Sequence, residues 1–291
     1  MTARLADSAP DPLVTAGTTF SGRRWWRSLQ HAQVWIRISA WLGFLTLGLT
    51  YIPIIWLAVM SFSGRPLSGI PKPLTLRWYT EMTDDLRWVE PLETSIVLAV
   101  IVGLFCMVIA TAVGRAIPRL RRRGSVLLLA TLPMFVPGLT MGAALFFFFR
   151  SYLTLKLGEW SIFFGHLVWA LPFSLLLVLV LASRFDHRLL EAAADLGASA
   201  WHRFWHIEFP IMRPAIVGAG LFGFLLSFTE LPRTIFLHGR TVSMPLFQWT
   251  QASAHHSQVP LTFALASVMF AVTLPIMGGF FWFLFAKLDR S

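Results

Sequence analysis

The sequence predicts an all-α integral membrane protein with six transmembrane helices and both termini in the cytoplasm. Three observations carry that prediction. Of 291 residues, 56% are hydrophobic and only 13% are charged. A soluble domain carries about 25% charged residues, so this supply is too small to clothe a soluble surface, and the apolar content is too high for a disordered chain. Second, six stretches reach the roughly 20 apolar residues that cross a hydrocarbon core about 30 Å thick. Third, the basic residues gather on alternate loops.

The spans follow in order. The first runs from Ile38 to Met60, between Arg37 and Arg65, with no charge inside. It is too long for a signal-peptide apolar region and no small-residue cleavage pattern follows it, so it is read as retained. The second runs from Ser95 to Gly114 and the third from Gly124 to Phe149. The fourth runs from Ser161 to Ser183. The fifth starts at Pro214 and continues to about Phe236, interrupted by Glu230 and Arg233; the sixth covers about Leu261 to Ala286. Pro53, Pro133, Pro137, Pro172 and Pro275 fall inside spans and read as kinks, which spanning helices tolerate when neighbours satisfy the freed carbonyls.

Orientation comes from the basic residues. The amino-terminal tail (1–37), the loop between spans two and three, the loop between spans four and five and the end of the chain (287–291) hold sixteen of the 24 Lys and Arg residues. The remaining loops hold eight. The richer side is cytoplasmic. Acidic residues divide evenly, so the net charge of +10 is a topology signal and nucleic-acid binding is the poorer explanation. Arg23, Arg24, Trp25, Trp26 and Arg27 form a basic-aromatic cluster suited to a lipid surface.

Several chemistries are excluded. No G-x-x-x-x-G-K-[ST] loop cradles a phosphate, and neither H-E-x-x-H nor G-x-S-x-G occurs. The single cysteine, Cys106, excludes an intrachain disulfide and a Cys-built metal site. Ionisable residues within the spans are few: His166, Glu230 and Arg233. A proton- or sodium-coupled transporter buries more, so energy for uphill transport has to enter through a partner.

The loop between the fourth and fifth spans (184–213) is the informative one. Asp186 can cap a short helix over about His187 to Leu196, with an apolar face of Leu189, Leu190, Ala193 and Leu196. Gly197 stands where a helix ends in a left-handed residue. Ser199 can cap a second short helix, which Pro210 and Pro214 bring to an end. The result is a helix-turn-helix elbow on the cytoplasmic face.

This stretch resembles the signature loop of ABC-transporter permease subunits of binding-protein-dependent importers. Glu191, Ala192 and Ala193 are followed by three residues and Gly197, and nine residues later by Ile207, Glu208, Phe209 and Pro210. The family pattern is E-A-A, three residues, G, nine residues, I, one residue, L-P; only Phe209 departs from it. The resemblance extends from about Leu74 to Phe285, through LTLRWYTEM, TLPMFVPGLTMG, GHLVWALPFSLLLV and TVSMPLFQW. The wording DHRLLEAAADLGAS looks most like the spermidine/putrescine branch, while SFTELPRTIF is also similar to iron, thiamine and phosphonate permeases.

The resemblance implies a type I importer permease fold, with a core over 90–286 that supplies half of a transmembrane pathway in a bacterial inner membrane. It implies a second, related permease, two ABC ATPase subunits and an extracytoplasmic solute-binding protein as partners. ATP and Mg²⁺ would bind the ATPases, with no cofactor or catalytic residue on this chain. Glu191, Ala192, Ala193, Gly197, Ile207 and Pro210 would form the ATPase-coupling loop.

Other residues have competing readings. Glu230, with Thr229 and Arg233 beside it, is a candidate for the substrate pathway, because a carboxylate in a span is a functional candidate by default. Its alternative is an i,i+3 pair with Arg233. His202 and His206 have metal-compatible spacing but lack a third ligand, and an interfacial helix with Trp201, Phe204 and Trp205 explains them better. His255 and His256 read as solvated, and Phe146 to Phe149 as lipid-facing packing. Two rival classes remain: a membrane-embedded hydrolase, for which the spans lack a paired nucleophile and base, and a channel, which gives no reason for the 191–210 pattern.

Overall fold

A computed structural model describes residues 22–254 and 256–288. His255 and most of the expected tail lie outside the described residues. The chain divides into two compact units, Met1–Trp56 and Leu57–Ser291. Five helices are long and apolar enough to cross a membrane, or six when one sharply bent pair counts as a single span. Among the described residues the extended pairing amounts to one bridge, Ser63 with Leu74.

Helix α1 (Gly22–Met60) contains the first span and continues toward the amino terminus beyond it. Pro53 sits inside it. The stretch Val34–Met60 is long and apolar enough to cross a membrane.

In the second unit α2 (Arg77–Asp84) precedes α3 (Val89–Ala116), the second span. The third span, expected as one kinked helix over Gly124–Phe149, is broken. Helix α4 (Arg123–Thr131) with a 3₁₀ turn to Phe135 meets α5 (Gly138–Phe147) at a bend of 99°. The cause is Pro137: it drives Val136 out of the helical region, to φ −86° and ψ 126°, as proline does to the residue before it.

Helix α6 (Glu159–Ala182) is the fourth span, and α7 (Arg188–Asp195) and α8 (Ala200–Arg203) make the loop that follows. Helix α9 (Phe209–Phe228) then begins without a break. Pro210 and Pro214 do not end the second loop helix as expected. A π turn over Phe204–Glu208 sends the Phe209 N–H to the Phe204 carbonyl, shifting the ladder by one residue just before Pro210, which needs no donor partner. The fifth span therefore runs through Ala200–Phe228 and stops short of the expected Phe236. Short α10 (Thr234–Leu237), α11 (Met244–Ala254) and the last span α12 (Val259–Leu288) complete the fold.

Helices α3, α6 and α9 form the centre. A Cβ on Gly103 would lie 2.7 Å from the Gly220 carbonyl oxygen, and one on Gly223 2.7 Å from Cys106 Cβ. Small residues bring α3 and α9 together, as expected where lipid offers no hydrophobic drive. Toward the cytoplasmic end Ala110, Ile117, Leu175, Val178, Phe185, Met212 and Ile216 form the main core; Leu98, Phe149, Ile162 and Leu237 form a second one toward the other end.

Candidate functional site: a cytoplasmic elbow and a buried polar joint

The elbow is built by turn chemistry that its sequence spells out. Asp186 Oδ1 accepts the Arg188 N–H at 3.0 Å where α7 begins. At its end the Gly197 N–H reaches the Ala194 carbonyl and the Ala198 N–H reaches the Ala193 carbonyl, each at 2.9 Å. With Gly197 at φ +83°, this is a complete Schellman closure. Ser199 then turns extended, and its Oγ accepts the His202 N–H at 3.2 Å to start α8. Arg203 Nη1 donates to the Leu190 carbonyl at 3.2 Å, tying the two short helices together.

Of the six loop residues singled out in the sequence, Glu191, Ala192, Gly197 and Pro210 are exposed, while Ala193 and Ile207 are half-buried. Leu190 and Ile207 pack on the cytoplasmic core. The expected apolar face of α7 is divided between two environments: Leu190 and Ala193 turn inward, whereas Leu189 and Leu196 stay exposed, Leu196 at 89%. Trp201, at 72%, extends that apolar surface. His202 and His206 stack with ring centroids 3.9 Å apart, and among the described residues no three His, Cys, Asp or Glu side chains gather as a metal site would need.

The elbow is anchored by a pair that sequence reasoning missed. Arg115, in the last turn of α3, donates from Nε and Nη2 to the two oxygens of Glu208, both at 2.6 Å. Its guanidinium also lies 4.3 Å over the Phe204 ring. A lone carboxylate inside an apolar run and a lone arginine closing an apolar span were the available signals, but nothing local joins residues 93 positions apart.

At the far end of α9 the chain turns through a buried polar joint. Glu230 (5% exposed) and Arg233 (2%) pair at 2.8 Å, and Glu230 Oε1 also accepts the Arg233 backbone N–H at 3.1 Å. The Arg233 guanidinium stacks 4.3 Å from the Trp169 ring centroid. His166 of α6 bridges Ser227 Oγ at 2.9 Å and Thr234 Oγ1 at 2.8 Å, while Thr234 donates to the Glu230 carbonyl at 3.0 Å. The three pathway candidates therefore separate. Glu230 and Arg233 face each other inside the protein, whereas Thr229 is exposed and its hydroxyl bonds back to the Leu225 carbonyl.

Residues 107–284 match the family described as binding-protein-dependent transport system inner membrane component. The chain belongs to this family. It is therefore an ABC importer permease, a multi-pass inner-membrane subunit. The spermidine/putrescine transport system permease protein PotC of Escherichia coli K12 is 30% identical over 227 residues, covering 77% of this permease and 85% of PotC. Its Haemophilus influenzae counterpart is 28% identical, over 78% of this permease and 88% of the relative. The putrescine transport system permease protein PotI of Escherichia coli K12 is 25% identical, over 88% and 92% respectively. Among solved structures, a bacterial ABC transporter involved in import of the acidic polysaccharide alginate superposes with a TM-score of 0.67 at 13% identity, covering 92% of this permease and 99% of that chain. The alginate transporter in complex with an alginate pentasaccharide-bound periplasmic protein gives 0.63 at 15% identity, with 90% and 96% covered. At those identities the structures establish the fold alone.

Proposed function

We propose that this permease forms half of the transmembrane pathway of an ATP-driven polyamine importer in a bacterial inner membrane. The other half is a second, related permease. Two ABC ATPase subunits hold ATP and Mg²⁺ and carry out all the covalent chemistry. An extracytoplasmic solute-binding protein delivers the substrate. The observation that carries the substrate class is the 30% identity to a spermidine/putrescine permease over most of both chains.

Glu191, Ala192, Ala193, Gly197, Ile207 and Pro210 form the ATPase-coupling loop. An exposed helix bearing a free carboxylate, small residues at its centre and apolar Leu196 and Trp201 at its rim has the composition of a docking surface. ATP binding draws the ATPases together, the elbow moves with them, and the spans alternate between inward and outward openings. The burial and mutual pairing of Glu230 and Arg233 support a bracing role for both; exposed Thr229 remains the pathway candidate of the three.

The test is reconstitution of the permease with its genetically adjacent partners in proteoliposomes, with labelled spermidine and putrescine outside. ATP-dependent uptake of either, competed by the other, is the expected result. Uptake of neither polyamine, while the loaded binding protein still stimulates ATP hydrolysis, would keep the importer and remove the polyamine.

A further inference from the structure

Resting on the coupling role proposed for the elbow, we infer that the Arg115–Glu208 pair is the strut that carries elbow movement into the second and fourth spans. Besides the helix that runs unbroken from α8 into α9, the elbow touches the bundle in two ways. Leu190 and Ile207 make apolar contacts with the cytoplasmic core, and such contacts are non-directional and allow sliding. The Arg115 fork is different. Two parallel charge-assisted bonds, both 2.6 Å, fix distance and orientation together. The stacking of the same guanidinium on Phe204 adds a second grip on the same π turn. Both grips hold Phe204–Glu208, the turn through which α8 becomes α9.

The other end of the strut is equally constrained. Arg115 closes α3, where a cation is favoured by the helix dipole. Its neighbour Gly114 lies so close to α6 that a Cβ there would stand 2.7 Å from Val178 Cγ1. A push on Arg115 therefore acts on the end of α3 directly and presses on α6 through this close packing. The cleft beside the pair, lined by Pro118, Phe185, His187 and Met212, encloses about 10 Å³, the lower limit for a single water. The Glu208 side chain is 7% exposed and that of Arg115 29%, so the carboxylate end of the contact is shielded from solvent. Arg115 and Glu208 are positioning residues: neither meets substrate or nucleotide, and both act through the helices they join.

The experiment uses the whole importer in proteoliposomes and reads three quantities: ATPase co-purification, ATP hydrolysis, and spermidine taken up per ATP hydrolysed. Arg115→Lys keeps the positive charge but replaces the fork with a single point of contact, so the complex should assemble. Uptake per ATP should fall at least threefold with ATPase attachment retained. Glu208→Gln should lower it at least tenfold, and the exchange of Arg115→Glu with Glu208→Arg should recover a measurable part. Should Glu208→Gln fail to accumulate, Arg115→Lys and the exchange variant decide the matter. A merely structural pair would lower the amount of complex and leave the ratio unchanged. Wild-type uptake per ATP in Arg115→Lys, together with no gain in the exchange variant over the single substitutions, overturns the strut while leaving the elbow's docking role standing. If the wild-type permease brings down no ATPase, the docking role itself is wrong and the strut falls with it.

Discussion

The two ends of one helix are built on opposite plans. Ala200–Phe228 begins in a cytoplasmic elbow and ends in a buried joint. In the elbow, Glu191 is exposed, Gly197 has nothing within 4 Å of the place a Cβ would take, and the turns are closed by local capping bonds. In the joint, Glu230 and Arg233 are buried against each other, and glycines of α5 and α6 make room for the chain: a Cβ on Gly142 would stand 2.9 Å from Phe236 Cδ2. The elbow's turns close on local bonds and its outer face stays exposed, as the docking role proposed for it requires. The joint buries its charged pair and joins α5, α6, α9 and α10. Substitutions should therefore split by region: those in the joint lower stability, and those in the elbow lower coupling.

The largest effect is expected at Arg233. Arg233→Met leaves the Glu230 carboxylate buried without its cation, and breaking such a pair costs about 3–5 kcal/mol. The amount of folded permease and its melting temperature in detergent should drop sharply. Removing both charges, with Glu230→Met added, should restore part of the loss, because replacing a buried pair by apolar groups is often near neutral. An unchanged melting temperature in Arg233→Met would mean that the joint is no brace, and Glu230 would return as a pathway residue.

The second effect is Gly142→Val. Its side chain would meet Phe236 and, at 3.1 Å, the Arg233 Cα. The backbone atom cannot yield as a flexible side chain would, so overpacking should cost about 1–3 kcal/mol. Thermal unfolding in detergent measures it, and limited proteolysis at the elbow should be unaffected. Equal sensitivity at both ends would break the comparison.

The regions also differ in how much of each was legible in the sequence. The caps and the turn of the elbow were legible nearly to the residue, because Asp186, Gly197 and Ser199 act on backbone groups within a few positions of themselves. The joint was only half legible. An i,i+3 pairing of Glu230 with Arg233 could be weighed, but the partners that bury it, His166 and Trp169, come from another helix. The Arg115–Glu208 pair was invisible for the same reason, its members lying 93 residues apart. Local rules also misled twice. Pro133 and Pro137 suggest kinks within one span, yet Pro137 breaks it by 99°. Pro210 and Pro214 suggest a stop, yet the π turn before them absorbs the missing donor. A proline's local preference is fixed by its ring; whether it bends, breaks or passes depends on which carbonyls its neighbours satisfy.

In the elbow the expected effects on stability are smaller. Gly197→Val meets no neighbour, so its cost is the left-handed backbone at φ +83° alone, about 1–2 kcal/mol. That strain falls on the turn between α7 and α8, which can open without disturbing the spans. Melting of the bundle should stay close to wild type, while co-purification of the ATPase falls. A Gly197→Asn variant, whose side chain tolerates the left-handed region better, should retain most of the attachment; equal loss in both would point to the glycine's small size and not its conformation.

Glu191→Lys sharpens the comparison most, because it should do least to the chain itself. Glu191 is exposed on the first turn of α7, where a carboxylate is favoured by the helix dipole and a cation disfavoured, each by about 0.3–1 kcal/mol. Screening by salt reduces both, and no ion pair is lost with the side chain among those the described residues make. Accumulation and melting should therefore match wild type. Attachment is another matter. A carboxylate that meets a cationic site on the ATPase contributes in a desolvated interface, and reversing its sign converts attraction into like-charge repulsion. Co-purification of the ATPase should fall at least tenfold, with the loss growing at low ionic strength, where unscreened repulsion is strongest. A compensating charge reversal on the ATPase that restores attachment would locate the partner residue. Wild-type attachment at every salt concentration would show that the exposed face of α7 does not meet the ATPase, and the division between a docking end and a locked end of the fifth span would then need another basis.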